Sequence, residues 1–434
     1  MTNRHAAPAR ARAVRHARSH GRHRVLRGIA LVTVALVMVG VSGASALYVK
    51  LQTNLDTVDV ASLLGPAPEP SSTPDDDPEP DDPNAGRALN ILVLGSDYRD
   101  AAAMAAEGKN TGGMRADTTI VVHVSADRQR VELVSIPRDS LVSIPSCQMS
   151  NGATTRARSQ AMINEAFAIG WDNGGDLASA AACSGRTVQE NTGLTIDHFV
   201  VVDFGGFQSM VDAIGGVDIC IPKDLHDPYT GLTLSAGQQV LSGEDAFMFA
   251  RARHGNVGDG SDIARIGNQQ RLIAAIVNQV FSREVMTSAP RLLQFLSAAT
   301  SSLTIDSGLD LQSLTGLAWS ARSVRLDDIT FMTVPWGAAK SDKNRVEWTA
   351  EADVLWANMA ADQPIVATES PATTETPATT DPGAGAGTET GGDAGTPAAP
   401  PVPGDPGAQV PTPAQTKEAG REAFTPADVT AVCG

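Results

Sequence analysis

Residues Gly28 to Val49 are twenty-two consecutive positions without a charged side chain, and eight arginines precede them. As a helix such a run spans about 30 Å, the thickness of a bilayer's hydrocarbon core. Arg4, Arg10, Arg12, Arg15, Arg18, Arg22, Arg24 and Arg27 meet no Asp or Glu before residue 50. Dense arginine on the N-terminal flank keeps that flank in the cytoplasm, so everything after Lys50 is expected to face outward. The competing reading is a cleaved leader, since Ala44-Ser45-Ala46 fits an A-x-A cleavage site. The apolar run continues past that site to Val49, which favours an uncleaved single-pass anchor.

Beyond residue 50 the chain carries 24 basic and 49 acidic side chains, a balance of −25. An acidic body repels nucleic-acid phosphates, so no nucleic-acid partner is expected. The four cysteines, Cys147, Cys183, Cys220 and Cys433, lack the C-x-x-C spacing of a zinc site. An even count outside the membrane suggests two disulfides. Three pairings are open on the sequence alone. We expect Cys147–Cys183, because both flank the loop and helices after Ser-Ile-Pro-Arg-Asp, with Cys220–Cys433 as the remaining pair.

Periodicity and composition divide the chain. Residues 1–27 form a cytoplasmic basic segment, 28–49 the anchor, and 50–87 an acidic, Pro-rich linker. That linker is expected to be extended by its prolines and like charges, holding the next domain away from the membrane. Residues 88–362 read as one α/β domain, a central mixed sheet with helices on both faces. Leu89–Gly95, Thr118–Val124, Arg130–Ile136, His198–Asp203 and Val217–Ile221 read as strands. Helical spacing marks Gln160–Ile169, Leu177–Asn191, Phe207–Ile214 and Asp262–Phe281, with further helices near 290–300, 310–321 and 351–359. Residues 363–424, rich in Pro, Thr, Gly, Ala and Glu, have too little apolar area to offset their ordering entropy. Residues 425–434 regain apolar character and return to the domain if Cys433 is paired.

Three clusters carry candidate chemistry. Asp97 and Arg99 close one strand, and Arg115 and Asp117 open another. Two carboxylates at strand ends suit an oxygen-loving divalent cation. In Ser135-Ile-Pro-Arg138-Asp139, Pro137 ends a strand and aims Arg138 outward, where its planar fork suits phosphate oxygens. The bland alternative is a surface ion pair with Asp139. The third cluster runs through Arg251, Arg253 and His254 to Asp262, Arg265 and Gln269. In extended geometry Arg251 and Arg253 would share a side. Asp262, Arg265 and Gln269 share one face of a helix, which Asp262 is placed to cap. So much arginine in an acidic domain calls for an anionic ligand such as pyrophosphate. G-x-S-x-G, H-E-x-x-H and P-loop motifs are missing from the sequence. His123, inside an apolar strand, reads as a core residue.

In this order the motifs resemble those of the LytR–CpsA–Psr family. The match comprises Leu94-Gly-Ser-Asp-x-Arg99, Arg115-x-Asp-Thr118, Ser135–Asp139, Ile163–Phe167, Val202–Phe207, Val211–Asp218, Leu241–Ala246 and the Arg251–Gln270 elements. The resemblance implies a sheet covered by helices, with a deep apolar groove for a polyprenyl chain. It implies Mg²⁺-assisted (or Mn²⁺-assisted) transfer of a glycopolymer from a polyprenyl-pyrophosphate carrier to a peptidoglycan hydroxyl outside the cell membrane. Carried over motif by motif, Asp97 and Asp117 are the expected metal positions, and Asp97, Asp117 and Arg138 the expected catalytic residues. Arg99, Arg115, Arg138, Arg251, Arg253, Arg265 and Gln269 are expected around the pyrophosphate. Asn268 departs from the pattern, since many members place Arg before Gln-Gln. Two other classes remain, a non-catalytic binding module for wall glycan or lipid carrier and a transcriptional attenuator. Outward topology and the acidic body oppose the latter.

Overall fold

The structure, a computed structural model of the chain, describes residues 38, 42–43, 45–64, 82–96, 114–366 and 417–430. Asp97, Arg99 and Cys433, and all but the C-terminal end of the 28–49 run, lie outside the described residues. Among the described residues no helix is long and apolar enough to cross a membrane.

In chain order the strands are β1 (Asp56–Val58), β2 (Leu89–Ser96), β3 (Thr118–Val124), β4 (Val131–Ser135), β5 (Leu141–Ile144), β6 (Arg158–Met162), β7 (His198–Asp203) and β8 (Val217–Ile221). They continue as β9 (Leu225–Asp227), β10 (Leu232–Leu234), β11 (Gly237–Leu241), β12 (Leu303–Asp306), β13 (Ile329–Thr333), β14 (Trp336–Ala338) and β15 (Val346–Trp348). Seven of them make one mixed sheet in the order β1-β12-β7-β2-β3-β4-β13. Central β2 runs parallel to β7, with Ile91 opposite His198, and antiparallel to β3, with Leu89 opposite Val124. Its almost continuous apolar sequence is what burial on both faces demands.

Strand alternation splits that apolar content between two different environments. Leu92, Leu94, Val121, Val134, Phe199 and Val201 pack into the larger core, against the helices Glu165–Gly174 and Leu177–Thr192 and Trp356. Val93, Gly95, Ile120 and Val202 face the other way, toward the helices Phe204–Ala213, Gly243–Arg251 and Asp262–Val280. There the packing leaves a groove. Within the larger core Cys147 and Cys183 are bridged, as expected. Cys220 is also disulfide-bonded, and Cys433, its expected partner, falls outside the described residues. His123 is a satisfied core residue, between Asn90 Oδ1 at 2.8 Å and Asp362 Oδ1 at 3.1 Å.

Several expectations change. Gln160–Ile169 is not one helix: β6 pairs antiparallel with β5, Gln160 sits at a φ of 53°, and the helix starts only at Glu165. The stretch 50–87 is not a linker throughout. Residues 45–54 are helical, β1 forms the sheet's edge beside β12, and Ala61–Leu64 packs on Leu177–Thr192. At the other end, the segment from residue 417 returns to the domain. Phe424 makes a β-bridge to Phe331 and stacks on its ring at 5.2 Å.

Candidate active site

The site lies at the end of the sheet where β2, β4 and β7 finish and β3 begins. The Asp117 N–H donates to Gly95 O at 3.0 Å, which places Asp117 beside the last turn of β2, two residues before Asp97. Pro137 has no N–H to extend the ladder, and β4 stops at Ser135. The next residue, Arg138, is drawn to the helix Asp262–Val280, because its backbone N–H donates to Asp262 Oδ2 at 2.9 Å.

Arg138 is therefore surrounded by carboxylates. Its Nη1 donates to Asp117 Oδ1 at 2.9 Å, and its Nε lies 3.4 Å from Asp262 and 3.7 Å from Asp139. Arg265 completes the cluster, with Nη2 at 2.5 Å from Asp262 Oδ1 and donating to Asp117 O at 2.8 Å. Burial pushes the Asp262 carboxyl up from its ordinary value, against the pull of Arg265 and Arg138. Burial likewise pushes Arg265 down, opposed by Asp262 and reinforced by the positive charges of Arg138 and Arg253. Burial also works against a charged Arg138, but Asp262, Asp117 and Asp139 outweigh it and hold its pKa up. The Nε atoms of Arg138 and Arg265 are buried donors without a hydrogen-bond acceptor.

The other arginines differ. Arg115, Arg251 and Arg253 have no carboxylate partner among the described residues. Arg251 does not alternate with Arg253 along a strand, as extended geometry would require. It is the last residue of the helix Gly243–Arg251, and its guanidinium lies 5.1 Å from the Phe247 ring centroid. Ala252 turns the chain out of the helix. Arg253 and His254 then donate their backbone N–H groups to Asp227 Oδ2, both at 2.8 Å. Nor does Asp262 cap its helix: Ser261 accepts from the Ala264 N–H, which frees Asp262 to pair with the two arginines.

The groove, about 220 Å³, ends at these groups. Its walls are Val93, Ile120, Val202, Phe204, Phe207, Met210, Phe247, Leu272 and Ile273, and its polar end is Asp117, Arg251, Arg265 and Gln269. Of the expected residues, the structure thus brings together Asp117, Arg138, Arg251, Arg265 and Gln269, with Arg253 close enough to repel Arg265. Asn268 is buried and donates to Ala252 O at 3.0 Å, so it holds the backbone between Arg251 and Arg253. Sequence reasoning missed Gln270, which reaches Ser135 Oγ at 3.0 Å and Thr333 Oγ1 at 3.2 Å and accepts from the Gly420 N–H at 2.9 Å. It missed Asp227 as well, whose only signal was an acid in an apolar hairpin.

The fit to a divalent cation rests on Asp117. One of its oxygens is taken by Arg138, and the side chain is 38% exposed at the polar end of the groove. Mg²⁺ commonly takes only one or two carboxylates and completes its shell with phosphate oxygens and water. The residues present fit that minimal arrangement. Among the described residues no group of three or more His, Cys, Asp or Glu is placed to hold a metal.

This fold and these motifs define a LytR–CpsA–Psr domain, and comparison with known proteins agrees. The LytR_cpsA_psr family model matches residues 65–360, and the chain belongs to that family. It is 32% identical to the cell wall biosynthesis protein LcpA of Corynebacterium glutamicum, over 58% of this chain and 50% of that protein. It is 29% identical to the polyisoprenyl-teichoic acid–peptidoglycan teichoic acid transferase TagU of Oceanobacillus iheyensis, over 57% of this chain and 67% of that protein. Among solved structures, a LytR-Csp2A-Psr enzyme from Actinomyces oris is 22% identical with a TM-score of 0.48, covering 70% of this chain and 96% of that one. The chain spans about half the length of the Corynebacterium relatives that it matches.

Proposed function

We propose that this chain is a membrane-anchored phosphotransferase, joining a glycopolymer carried on polyprenyl pyrophosphate to a hydroxyl of peptidoglycan outside the cell membrane. One observation carries the reading: an apolar groove ends at arginines that have no carboxylate partner among the described residues. That pattern suits an amphiphile with a long hydrocarbon tail and an anionic head. The names of relatives agree, since TagU is called a transferase acting between a polyisoprenyl-linked polymer and peptidoglycan.

In this reading the hydrocarbon lies along Phe204, Phe207, Met210 and Leu272. Arg251, Arg253, Arg115 and Arg99 face the pyrophosphate, with Gln269 beside them. Arg138 and Arg265, paired with Asp117 and Asp262, add positive charge beside them. The acceptor hydroxyl attacks the phosphorus that bears the glycan. The bond from that phosphorus to the bridging oxygen breaks, and polyprenyl phosphate leaves. A phosphodiester now joins glycan to wall, and the hydroxyl proton passes to a carboxylate of the site. Asp97 and Asp117 would hold Mg²⁺ or Mn²⁺, which supplies charge neutralisation at the pyrophosphate. Positioning and charge stabilisation are the main needs of phosphoryl transfer.

The test is turnover of a polyprenyl-pyrophosphate-linked glycan by the full chain in lipid, with peptidoglycan strands as acceptor. Release of polyprenyl phosphate together with covalent glycan on the wall polymer is expected. Met210→Trp, which fills the groove, is expected to raise KM for the donor without unfolding the protein. Tight donor binding without turnover, with Mg²⁺ or Mn²⁺ supplied, would instead establish a non-catalytic binding module.

A further inference from the structure

The chain enters its sheet at the same end as the site. With β2 and β7 running toward the site, β12 is antiparallel to β7 and β1 is parallel to β12, so both begin at the site end. The helix over residues 45–54 feeds β1, and the helix Ala289–Ser302 feeds β12. Asp56 lies opposite Thr304 and Val58 opposite Asp306, so the two segments enter side by side and in the same sense. Asn54 Nδ2 ties them together, lying 3.3 Å from Ser297 Oγ and 3.4 Å from Thr300 Oγ1. Leu51 and Leu55 are already buried against the domain.

No spacer therefore separates the apolar run from the domain. From Val49 to Leu51 is two residues, a rise of about 3 Å in a helix. The acidic, Pro-rich stretch 65–81 lies between packed Leu63 and buried Asp82. In the sequence it falls inside the domain, after the first packed segment. If residues 28–49 cross the bilayer, the part of the domain nearest residue 49 sits at the lipid surface.

That part can be named. Thr300, Ser297 and Leu293 are spaced three and four apart, on one face of their helix. Following this face back from Asn54's partners leads to Leu293; before that helix begins, the chain exposes Met286 at the end of the short helix Arg283–Met286 and Phe281 at the end of Asp262–Val280, and the three side chains are 39%, 51% and 58% exposed. Arg283 and Arg291 lie among them, both exposed, and Glu284, also exposed, stands 3.5 Å from Arg291 in a solvent-facing pair that headgroups can replace. Behind this edge stands the groove: the helix Phe204–Ala213, which carries Phe204, Phe207 and Met210, packs on Ala289–Ser302. The fit is so close that a Cβ on Gly206 would lie 2.4 Å from that of Ser302.

We propose that the edge formed by Phe281, Met286 and Leu293, with Arg283 and Arg291, is seated in the headgroup layer of the membrane. The apolar side chains enter the boundary of the acyl region and the arginines meet anionic headgroups, as interfacial elements do. The domain then lies on the bilayer with its groove wall directly behind the seated helix. A polyprenyl chain passes from lipid to groove with little exposure to water. This rests on the anchored-transferase reading.

The test uses the full chain in vesicles of neutral and anionic phospholipid containing a lipid with a photoactivatable diazirine near its glycerol. Adducts are mapped by peptide mass spectrometry. Adducts are expected in the peptide spanning 281–293 as well as in the anchor, and not in the β3–β4 hairpin around Gln129, at the opposite end of the sheet. Leu293→Asp combined with Met286→Asp is expected to remove the 281–293 adducts while the chain still sediments with vesicles. The same variant is expected to raise KM several-fold for a long-chain donor in vesicles and to leave a short water-soluble donor unaffected. Adducts confined to the anchor, in a chain that sediments with vesicles and turns over donor, would overturn the seated edge alone. A chain that fails to sediment would overturn the anchor and the seated edge together.

Discussion

Arg138→Ala separates the ion-pair role seen in the structure from the phosphate-binding role proposed for this side chain. The guanidinium neutralises Asp117, Asp139 and Asp262, and in the proposed reading it also faces the phosphate. Breaking a fully buried ion pair costs about 3–5 kcal/mol. Here the cost should be smaller. Asp262 keeps Arg265 and the Arg138 backbone N–H, and the Arg138 side chain is 20% exposed. A loss of about 1–2 kcal/mol is expected. For a domain of this size that lowers Tm by about 2–8 °C, readable by calorimetry. A charge-assisted bond to the transferred phosphate is worth about 1.5–3 kcal/mol, so turnover should fall about 10- to 150-fold beyond any loss of folded protein. Arg138→Lys keeps the charge but not the fork. It is expected to recover most of the Tm and little of the turnover. Arg325→Ala is the control, since that side chain is 83% exposed and pairs with Asp328 at 3.9 Å. Unchanged Tm and near-normal turnover in Arg138→Ala, or loss of turnover in Arg325→Ala, would refute this placement of the site.

Reducing the Cys147–Cys183 bridge, or replacing both residues with Ser, opens a loop of 36 residues. It is expected to cost roughly 3–4 kcal/mol in the chain-entropy model, seen as a lower denaturation midpoint. Burial alone would raise Asp227, but backbone N–H groups of His254, Arg253, Tyr229 and Thr230 outweigh it and hold its pKa low. Its contribution is therefore complete above the unfolded value of about 3.9 and is lost as pH falls through the lower folded value. Urea midpoints measured from neutral pH down to acid are expected to fall less steeply in Asp227→Asn than in the parent, and parallel curves would refute the assignment. Gly267→Ala puts a methyl where Ala419 O stands 2.5 Å away. It is expected to lift the 417–430 segment, break the Gln270–Gly420 bond and cost about 1–3 kcal/mol. Faster proteolysis within 417–430 is the readout, and an unchanged cleavage rate would count against that packing.

Local patterning determined a good deal here. Strands β3, β7 and β8 appear within the bounds that their alternating or continuous apolar runs predict, because period-2 patterning is local information. Gly215 and Gly216 end their helix with φ of 89° and 93°, as their freedom from a Cβ allows. The Arg and Asp motifs were equally legible, since their order along the chain marked the family before any contact is known. Pairing was not legible. Which arginines face carboxylates among the described residues depends on Asp262 approaching Arg138 across 124 residues of sequence. Nothing local to either residue encodes that approach. The same holds for β1, whose three residues become a strand only because β12 lies beside them, and for Phe424, which finds Phe331 beyond a low-complexity tail. The sequence by itself determined most of the elements and the family to which the chain belongs. Only the tertiary structure decided which charges neutralise one another, and it placed the site and the end of the apolar run at the same edge of the sheet, because long-range packing depends on where distant segments come to lie.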